Sequence, residues 1–203
     1  VQTCALPILY ETLQVMNTLQ PGLCVLGTRL PGCFNVFEMS VRAVLGQQIT
    51  VKAASTLAAR LVAAYGTQVQ TGIGGLTHSF PAPAAILALG ENISGHLGKL
   101  GIISARANTI YQLARVLADE KNDFGFCGNP EEEMQKLQSI RGIGSWTAQY
   151  IAMRAMGWPD AFLPTDAGIK KALPDHTPKE LQALSEAWRP WRSYATVNLW
   201  NTL

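Results

Sequence analysis

A glycine-rich turn and an aspartate 22 residues beyond it are the features of this 203-residue sequence whose types and spacing could do chemistry. The turn, Gly142-Ile143-Gly144, lies between two helical patterns within residues 137–148. Glycines let a backbone turn tightly and approach a ligand closely, and the N–H groups that open the second helix then point outward, ready for a phosphate oxygen. The alternative is an ordinary helical hairpin whose glycines serve only the turn.

The aspartate, Asp166, follows Leu-Pro-Thr and precedes a helical pattern over residues 167–173. Thr165 or Asp166 can be the N-cap of that helix and nothing more. An ionised carboxylate can also stabilise the positive charge that builds on a sugar when an N-glycosidic bond breaks. A helix N-terminus favours the ionised form, so the position suits either role.

Aromatic side chains accompany these two features. Trp146 and Tyr150 lie four residues apart and therefore share one face of a helix, and Trp200 lies near the end of the chain. Such rings are usually core. The alternative is a binding surface, because an electron-rich ring face can hold a cation.

The elements that must position these residues are helices. Apolar residues recur at helical spacing along nearly the whole chain, so we expect an all-α protein of about nine or ten helices. Residues 67–83 form the one long loop that the composition predicts. Local signals predict three helix starts: Asn129-Pro130 before three glutamates, the capping box Thr177-Pro178-Lys179-Glu180, and Ser104 as the cap of a helix running to about Glu120.

Bulk composition excludes several classes of protein. The sequence is 48% hydrophobic and 15% charged, with no apolar run long enough for a membrane helix, so we expect a soluble protein. A net charge of +2 is too mild to indicate a nucleic-acid binder by itself. The cysteines form no C-x-x-C pair and are expected to be reduced core thiols: Cys4, Cys24, Cys33 and Cys127.

The hairpin and its surroundings resemble the helix-hairpin-helix DNA glycosylases. Residues 137–148 match the signature L-x-x-(I/L)-x-G-(I/V)-G-x-x-T-A. Three further stretches are similar to the alkylation-repair branch, the 3-methyladenine DNA glycosylases II. They are F-E-x-x-V-R-A-x-L-G-Q at 37–47, F-L-P-x-D at 162–166 and W-R-P-W-R-S-Y-A at 188–195. The resemblance extends from Pro31 to the C-terminus.

The resemblance implies a DNA repair enzyme of the base-excision type. It would hydrolyse the N-glycosidic bond of 3-methyladenine and 7-methylguanine, with hypoxanthine as a further substrate, in double-stranded DNA. Asp166 would be the catalytic carboxylate. Family members that also cut the strand have a Lys where this chain has Trp146, so we expect a monofunctional glycosylase without lyase activity. We also expect a monomer in the bacterial cytoplasm.

The same resemblance implies roles for the remaining site residues. The base pocket would consist of Trp146, Tyr150 and Trp200. The DNA phosphate would be bound by Gly142, Gly144, Ser145 and Thr147. A monovalent cation, Na⁺ or K⁺, would be held by the main-chain carbonyls of Gln138, Ile140 and Ile143. Gln48 would fill the gap left by the flipped nucleotide, although it could equally be a loop glutamine without a role. No cofactor is required, and no iron–sulfur cluster is expected because no Cys follows Cys127.

For the domain organisation we expect two helical lobes with the active-site cleft between them. Residues 1–36 and 164–203 would form one lobe, and residues 37–163, with the hairpin at 137–148, the other. The bacterial enzymes of this branch also have an N-terminal mixed α/β domain, which we expect this chain to lack because only about 30 residues precede the matching region.

Two rival functions share these motifs. The first is a mismatch adenine, thymine or uracil glycosylase of the same superfamily. The second is a helix-hairpin-helix module that binds duplex DNA without catalysis, for which Asp166 would have no use. Five basic residues could contact phosphate but are ordinarily just solvated charges: Lys99, Arg106, Arg154, Lys170 and Lys171.

Overall fold

The computed structural model describes residues 14, 16–18, 21–25, 27–118 and 129–203. Ten α-helices run through this part of the chain, and they confirm the predicted all-α class. They are Val36–Leu45 (α1), Val51–Tyr65 (α2), Pro83–Leu87 (α3), Ile93–Gly98 (α4), Ser104–Leu117 (α5), Pro130–Ser139 (α6), Ser145–Arg154 (α7), Ala167–Ala172 (α8), Pro178–Ser185 (α9) and Arg192–Asn201 (α10). Short 3₁₀ helices occupy Gly90–Asn92 and Glu186–Trp188. None of the described helices combines the length and the apolar character that crossing a bilayer requires.

The predicted long loop contains regular structure at both of its ends. Strands Thr67–Gln68 (β1) and His78–Ser79 (β2) pair antiparallel, with Thr67 opposite Ser79. A further backbone hydrogen bond, from Val69 N–H to Thr77 O at 2.9 Å, continues the pairing beyond the two strands. The prediction of a plain loop is therefore wrong in detail, because two-residue strands are too short to show a period-two pattern.

Two of the three predicted helix starts are confirmed. Asn129 caps α6 and accepts the N–H of Glu131, and Thr177 and Glu180 form both bonds of the capping box at α9. The prediction for Ser104 is wrong: Ile103 is the N-cap of α5, without a side-chain bond. Since Ser104 already belongs to the first turn, its hydroxyl is not placed to accept the N–H groups that an N-cap satisfies.

The chain divides into two compact units, each with its own core. One unit is Cys33–Ile151, in which α1, α3 and α4 all pack on α5 through buried residues such as Val44, Ile86, Leu97 and Ile110. The other combines Val1–Gly32 with Ala152–Leu203, and in its described part α8 packs on α10. The lobes predicted from the sequence change at 36/37 and 163/164, whereas these units change at 32/33 and 151/152.

The described cysteines differ in environment. Cys24 is buried, as predicted, and burial raises the pKa of its thiol to about 11. Cys33 is half-buried. Cys4 and Cys127 lie outside the described residues. At neutral pH the Cys24 thiol therefore stays protonated and is a poor nucleophile.

Candidate functional site

The glycine turn joins α6 to α7 and requires glycine at its first position. Gly142 has φ +95°, and a Cβ built there would lie 2.1 Å from the hydroxyl oxygen of Thr109. A Cβ at Gly144, by contrast, would meet no atom within 4 Å. Gly142 is therefore required by the protein's own packing, whereas the open space beside Gly144 is room that a ligand could occupy.

Three side-chain hydrogen bonds from outside the hairpin hold this turn. The Thr109 hydroxyl donates to Arg141 O at 2.9 Å. The side-chain amide of Gln47 donates to Gly142 O and to the Thr147 hydroxyl, each at 2.9 Å. The carbonyls of Arg141 and Gly142 thus each have a side-chain donor from outside the hairpin.

Backbone N–H groups that the helical hydrogen-bond ladder does not use lie at the start of α7. The first helical bond at this end runs from Ala148 N–H to Gly144 O at 3.0 Å, and the N–H groups before it have no helical acceptor. Those of Ser145 and Thr147 are among them. Thr147 as a whole residue is only 3% exposed, and its hydroxyl accepts a hydrogen bond from Gln47.

The three carbonyls expected to hold a cation lie at the end of α6 and in the turn. Ile140 O accepts one hydrogen bond, from Ile143 N–H at 3.0 Å. Gln138 lies in the last turn of α6, where helix carbonyls lack an intrahelical donor. Ile140 and Ile143 have buried side chains. Carbonyl oxygens with spare lone pairs are suitable ligands for an alkali cation, so these residues fit the expected group.

Asp166 is the N-cap of α8, and one of its oxygens receives three N–H donors. Oδ1 accepts from the backbone of Gly168 at 2.9 Å and of Ile169 at 3.1 Å. It also accepts from the indole Nε1 of Trp200 at 2.8 Å. The cap role is thus confirmed, and the third donor comes from a helix that a cap alone would not involve. The half-buried carboxylate is held in one orientation.

The contact between Asp166 and Trp200 depends on a glycine. A Cβ on Gly168 would lie 2.7 Å from Trp200 Cδ1 and 3.0 Å from its Nε1. Both distances are shorter than van der Waals contact, so any larger residue would push the indole away from the carboxylate. Gly168 therefore allows the ring to reach Asp166.

A buried ion pair holds the segment that leads to Asp166. The Arg192 side chain is 5% exposed and donates to both carboxylate oxygens of Asp160, at 2.7 and 2.9 Å, and to Asp160 O at 2.8 Å. Arg189 adds a bond to the same carboxylate at 2.5 Å. Arg189 also holds the pKa of the Glu186 carboxyl below its usual value by a hydrogen bond. This network connects the motif at 188–195 to Asp160, which lies two residues before the motif at 162–166.

Ser193, the next residue of α10, reinforces that connection. The Ser193 hydroxyl accepts the N–H of Ala161 at 3.0 Å and donates to Trp158 O at 2.8 Å. The start of α10 thus holds residues 158–161, while Trp200 near its end holds Asp166. One helix fixes both ends of the segment that presents the carboxylate.

The remaining predicted residues are distributed as follows. Trp146 and Tyr150 stack with ring centroids 5.1 Å apart and planes 9° apart, and both are half-buried. They belong to the unit Cys33–Ile151, while Trp200 belongs to the other unit, so their shared pocket stays a prediction. Gln48 is exposed and has φ +54°, the left-handed region that side chains other than glycine rarely adopt.

Comparison with known families decides what these motifs belong to. A family model described as the HhH-GPD superfamily of base excision DNA repair proteins matches residues 41–191, which include both the hairpin and Asp166. The chain belongs to this superfamily. Within the HhH-GPD superfamily it is similar to DNA-3-methyladenine glycosylase 2 of Escherichia coli, with 36% identity over 98% of this chain and 67% of the relative.

The chain is also similar to two further proteins, one in sequence and one in fold. A Mycobacterium tuberculosis protein named a probable bifunctional transcriptional activator/DNA repair enzyme AlkA is 44% identical over 87% of this chain. This chain spans only 35% of that relative's length. The solved structure of a 3-methyladenine DNA glycosylase from Archaeoglobus fulgidus has the same fold, with a TM-score of 0.77 at 24% identity over 96% of this chain and 68% of its own.

Several residues that shape this HhH-GPD site were not singled out by the sequence. Gln47 ends a recognised motif but received no role, and Thr109 lies in an unremarkable helical pattern. Arg106, a possible phosphate contact by its charge alone, donates through its guanidinium to Gln47 O in a short hydrogen bond. The one sequence feature that indicated Gln47 is its place as the last residue of the motif at 37–47.

Proposed function

We propose that this HhH-GPD chain is a monofunctional DNA glycosylase that removes alkylated bases, 3-methyladenine and 7-methylguanine foremost and hypoxanthine in addition. The observation that carries the proposal is the Asp166 carboxylate, oriented by three N–H donors. A carboxylate used only as a helix cap would not need the indole of Trp200. The name of the Escherichia coli relative, DNA-3-methyladenine glycosylase 2, supports the substrate class.

The chemistry proposed for Asp166 is electrostatic. As the bond between the base nitrogen and sugar C1′ lengthens, its electron pair leaves with the base and positive charge builds on the sugar. The ionised carboxylate stabilises that charge and aligns the water molecule that then adds to C1′, and the proton of this water passes to the carboxylate or to solvent. A base that is already cationic leaves as a neutral molecule, so alkylated purines need no separate general acid.

The proposed partner is double-stranded DNA, bound through its backbone. The N–H groups at Gly142, Gly144, Ser145 and Thr147 donate to a phosphate, a contact that positions DNA without reading its sequence. The carbonyls of Gln138, Ile140 and Ile143 hold a Na⁺ or K⁺ ion, which adds positive charge beside the phosphate. No cofactor takes part. The enzyme acts as a monomer on damaged DNA in the bacterial cytoplasm.

The proposed base pocket consists of aromatic faces. Trp146 and Tyr150 offer stacked, half-buried rings, and Trp200 adds a third ring. Cation–π attraction favours a positively charged methylated purine over an ordinary one. Because Trp146 stands where lyase members of the resembled family have Lys, no Schiff base forms and the strand stays intact.

The deciding experiment measures release of free bases from methylated duplex DNA. We expect the wild-type chain to release 3-methyladenine, and Asp166→Asn to reduce the single-turnover rate constant by roughly 100-fold or more while keeping affinity for an abasic-site duplex. The Asn side chain retains an oxygen that can cap α8, so stability serves as the control.

Other outcomes of this experiment point to the rivals. Duplex binding without release of any base by the wild-type chain would indicate a binding module. Release of adenine, thymine or uracil from mismatched duplexes, without release of methylated purines, would indicate a mismatch glycosylase. Excision by Asp166→Asn at the wild-type rate would remove Asp166 from the mechanism.

A further inference from the structure

We infer that Gln47 is a positioning residue that makes phosphate binding at the hairpin and insertion of residue 48 into the duplex a single coupled event. The inference rests on the proposed glycosylase function, because only a base-flipping enzyme needs that coupling. All residues involved lie within one compact unit, Cys33–Ile151.

Both hydrogens of the Gln47 side-chain amide are used within the hairpin. Nε2 donates to Gly142 O and to Thr147 Oγ1, each at 2.9 Å, across 95 and 100 residues of sequence. Gly142 O can only accept, so the amide nitrogen, and not its oxygen, must face it. One side chain thus joins the Gly142 carbonyl of the turn to the first turn of α7.

The backbone of Gln47 is held as firmly as its side chain. Its N–H donates to Val44 O at 3.4 Å, which continues the end of α1. Its carbonyl accepts the short hydrogen bond from the Arg106 guanidinium on α5. The same helix carries Thr109, whose hydroxyl donates to Arg141 O. Because residues three apart share a helix face, α5 fixes both the Gln47 turn and the hairpin.

The residue that this arrangement presents is Gln48. It is exposed, and its φ of +54° is a conformation that persists in a residue other than glycine only when the surrounding structure imposes it. Its neighbour Gln47 supplies that constraint through three hydrogen bonds. The direction in which Gln48 points is therefore set relative to the phosphate-binding N–H groups.

The consequence is a division of roles between neighbouring glutamines. Gln48 enters the duplex, while Gln47 keeps the inserted residue in register with the phosphate that the hairpin binds. Loss of the Gln47 amide donors leaves the hairpin N–H groups in place, so undamaged duplex is still bound. The same loss removes the connection between the hairpin N–H groups and the insertion of Gln48, so the damaged nucleotide is no longer flipped.

The test compares two variants of Gln47 in binding and flipping assays. Gln47→Glu removes both donors at constant size, and Gln47→Met removes them without adding charge. Flipping is measured by the fluorescence of 2-aminopurine next to an abasic-site analogue in duplex DNA, a readout that does not require catalysis. Gln68→Glu, an exposed position on β1, controls for added negative charge.

We expect both Gln47 variants to lose most of the 2-aminopurine signal and at least about 10-fold in single-turnover excision, with affinity for undamaged duplex changed less than about threefold. In a Gln48→Ala background the same changes should have no further effect, because the two residues then act in one step. Equal losses of duplex affinity, melting temperature and flipping would show a merely structural role and overturn the inference. Losses of flipping and excision that add to those of Gln48→Ala would also overturn the inference.

Failure of the proposed function gives a different pattern. A wild-type chain that flips the 2-aminopurine reporter but releases no methylated base would contradict the glycosylase and leave the coupling intact. A wild-type chain that excises normally and whose Gln47 variants flip normally would contradict only the coupling.

Discussion

Three N–H donors converge on a single oxygen of Asp166, and they come from two different helices. The two backbone donors belong to α8 and would be present for any capping aspartate. The indole of Trp200 is the additional constraint, and it aligns the carboxylate at the cost of placing a large ring against Gly168. At this scale the structure predicts that the indole N–H matters separately from the aromatic ring.

The Trp200→Phe variant separates those two contributions. It keeps an aromatic face but removes the donor to Asp166. A hydrogen bond to a charged group contributes about 1.5–3 kcal/mol, so we expect the single-turnover rate constant to fall by about 10- to 100-fold. Affinity for an abasic-site duplex should change little.

Trp158→Phe is the matched control, since Trp158 lies in the same unit and its bond to Ser193 uses the backbone carbonyl, which the variant retains. If Trp200→Phe and Trp158→Phe excise at the same rate, the hydrogen bond to Asp166 does not orient the carboxylate.

At the scale of elements, α10 connects the motifs around the candidate catalytic residue. Its first turn carries Arg192 and Ser193, which hold residues 158–161, and Trp200 near its end holds Asp166. A buried carboxylate such as Asp160 is tolerated because Arg192 and Arg189 both pair with it. The packing of α8 against α10 should therefore be sensitive to small increases in side-chain volume.

Gly168→Ala tests that packing, because the sign of the change in the free energy of unfolding shows whether the added methyl group fits. Replacing glycine by alanine inside a helix ordinarily stabilises a protein by up to about 1 kcal/mol. Here the added methyl group would overlap Trp200, so we expect a loss of roughly 1–3 kcal/mol in the free energy of unfolding, together with slower excision. Urea denaturation and the base-release assay measure the two effects.

Gly98→Ala supplies the comparison, because a Cβ on Gly98 at the end of α4 meets no atom within 4 Å. It should be neutral or stabilising. A Gly168→Ala chain that is as stable and as active as wild type would contradict the close approach.

For the molecule as a whole, the modest net charge of +2 provides little long-range attraction for a phosphate backbone. Neutral backbone donors at one hairpin and a held cation are the proposed means of binding the phosphate backbone. Membership of the HhH-GPD superfamily is shown over residues 41–191, a range that includes both the hairpin and Asp166. Whether the chain also cleaves the DNA strand depends on the residue that stands at the position of the lyase lysine.

The strand-cleavage prediction belongs to this scale. With Trp146 at the position of the lyase lysine, we expect an intact strand with an abasic site after base release. Denaturing gels should show cleavage only after alkali treatment, and borohydride should trap no covalent protein–DNA complex. An enzyme that carries such a lysine is the positive control. A trapped complex would show that another amine of this chain attacks the sugar.

The sequence by itself determined the helical class, the hairpin, the caps at Asn129 and Thr177, and the position of Asp166. These features depend on neighbours a few residues apart, whose backbone angles and short hydrogen bonds follow from residue type. The Ser104 cap and the plain loop at 67–83 show the limit of such signals, since several residue types allow more than one local geometry.

Only the tertiary structure decided which distant side chains meet. The bonds from Gln47 to the hairpin and from Trp200 to Asp166 span 95 and 34 residues, and no local pattern encodes them. They depend on how helices pack, which sets the register of each side chain to within an ångström. Asp166 was thus recognisable from the sequence as a cap and a candidate carboxylate, while the indole that orients it became visible only once α10 lay against α8.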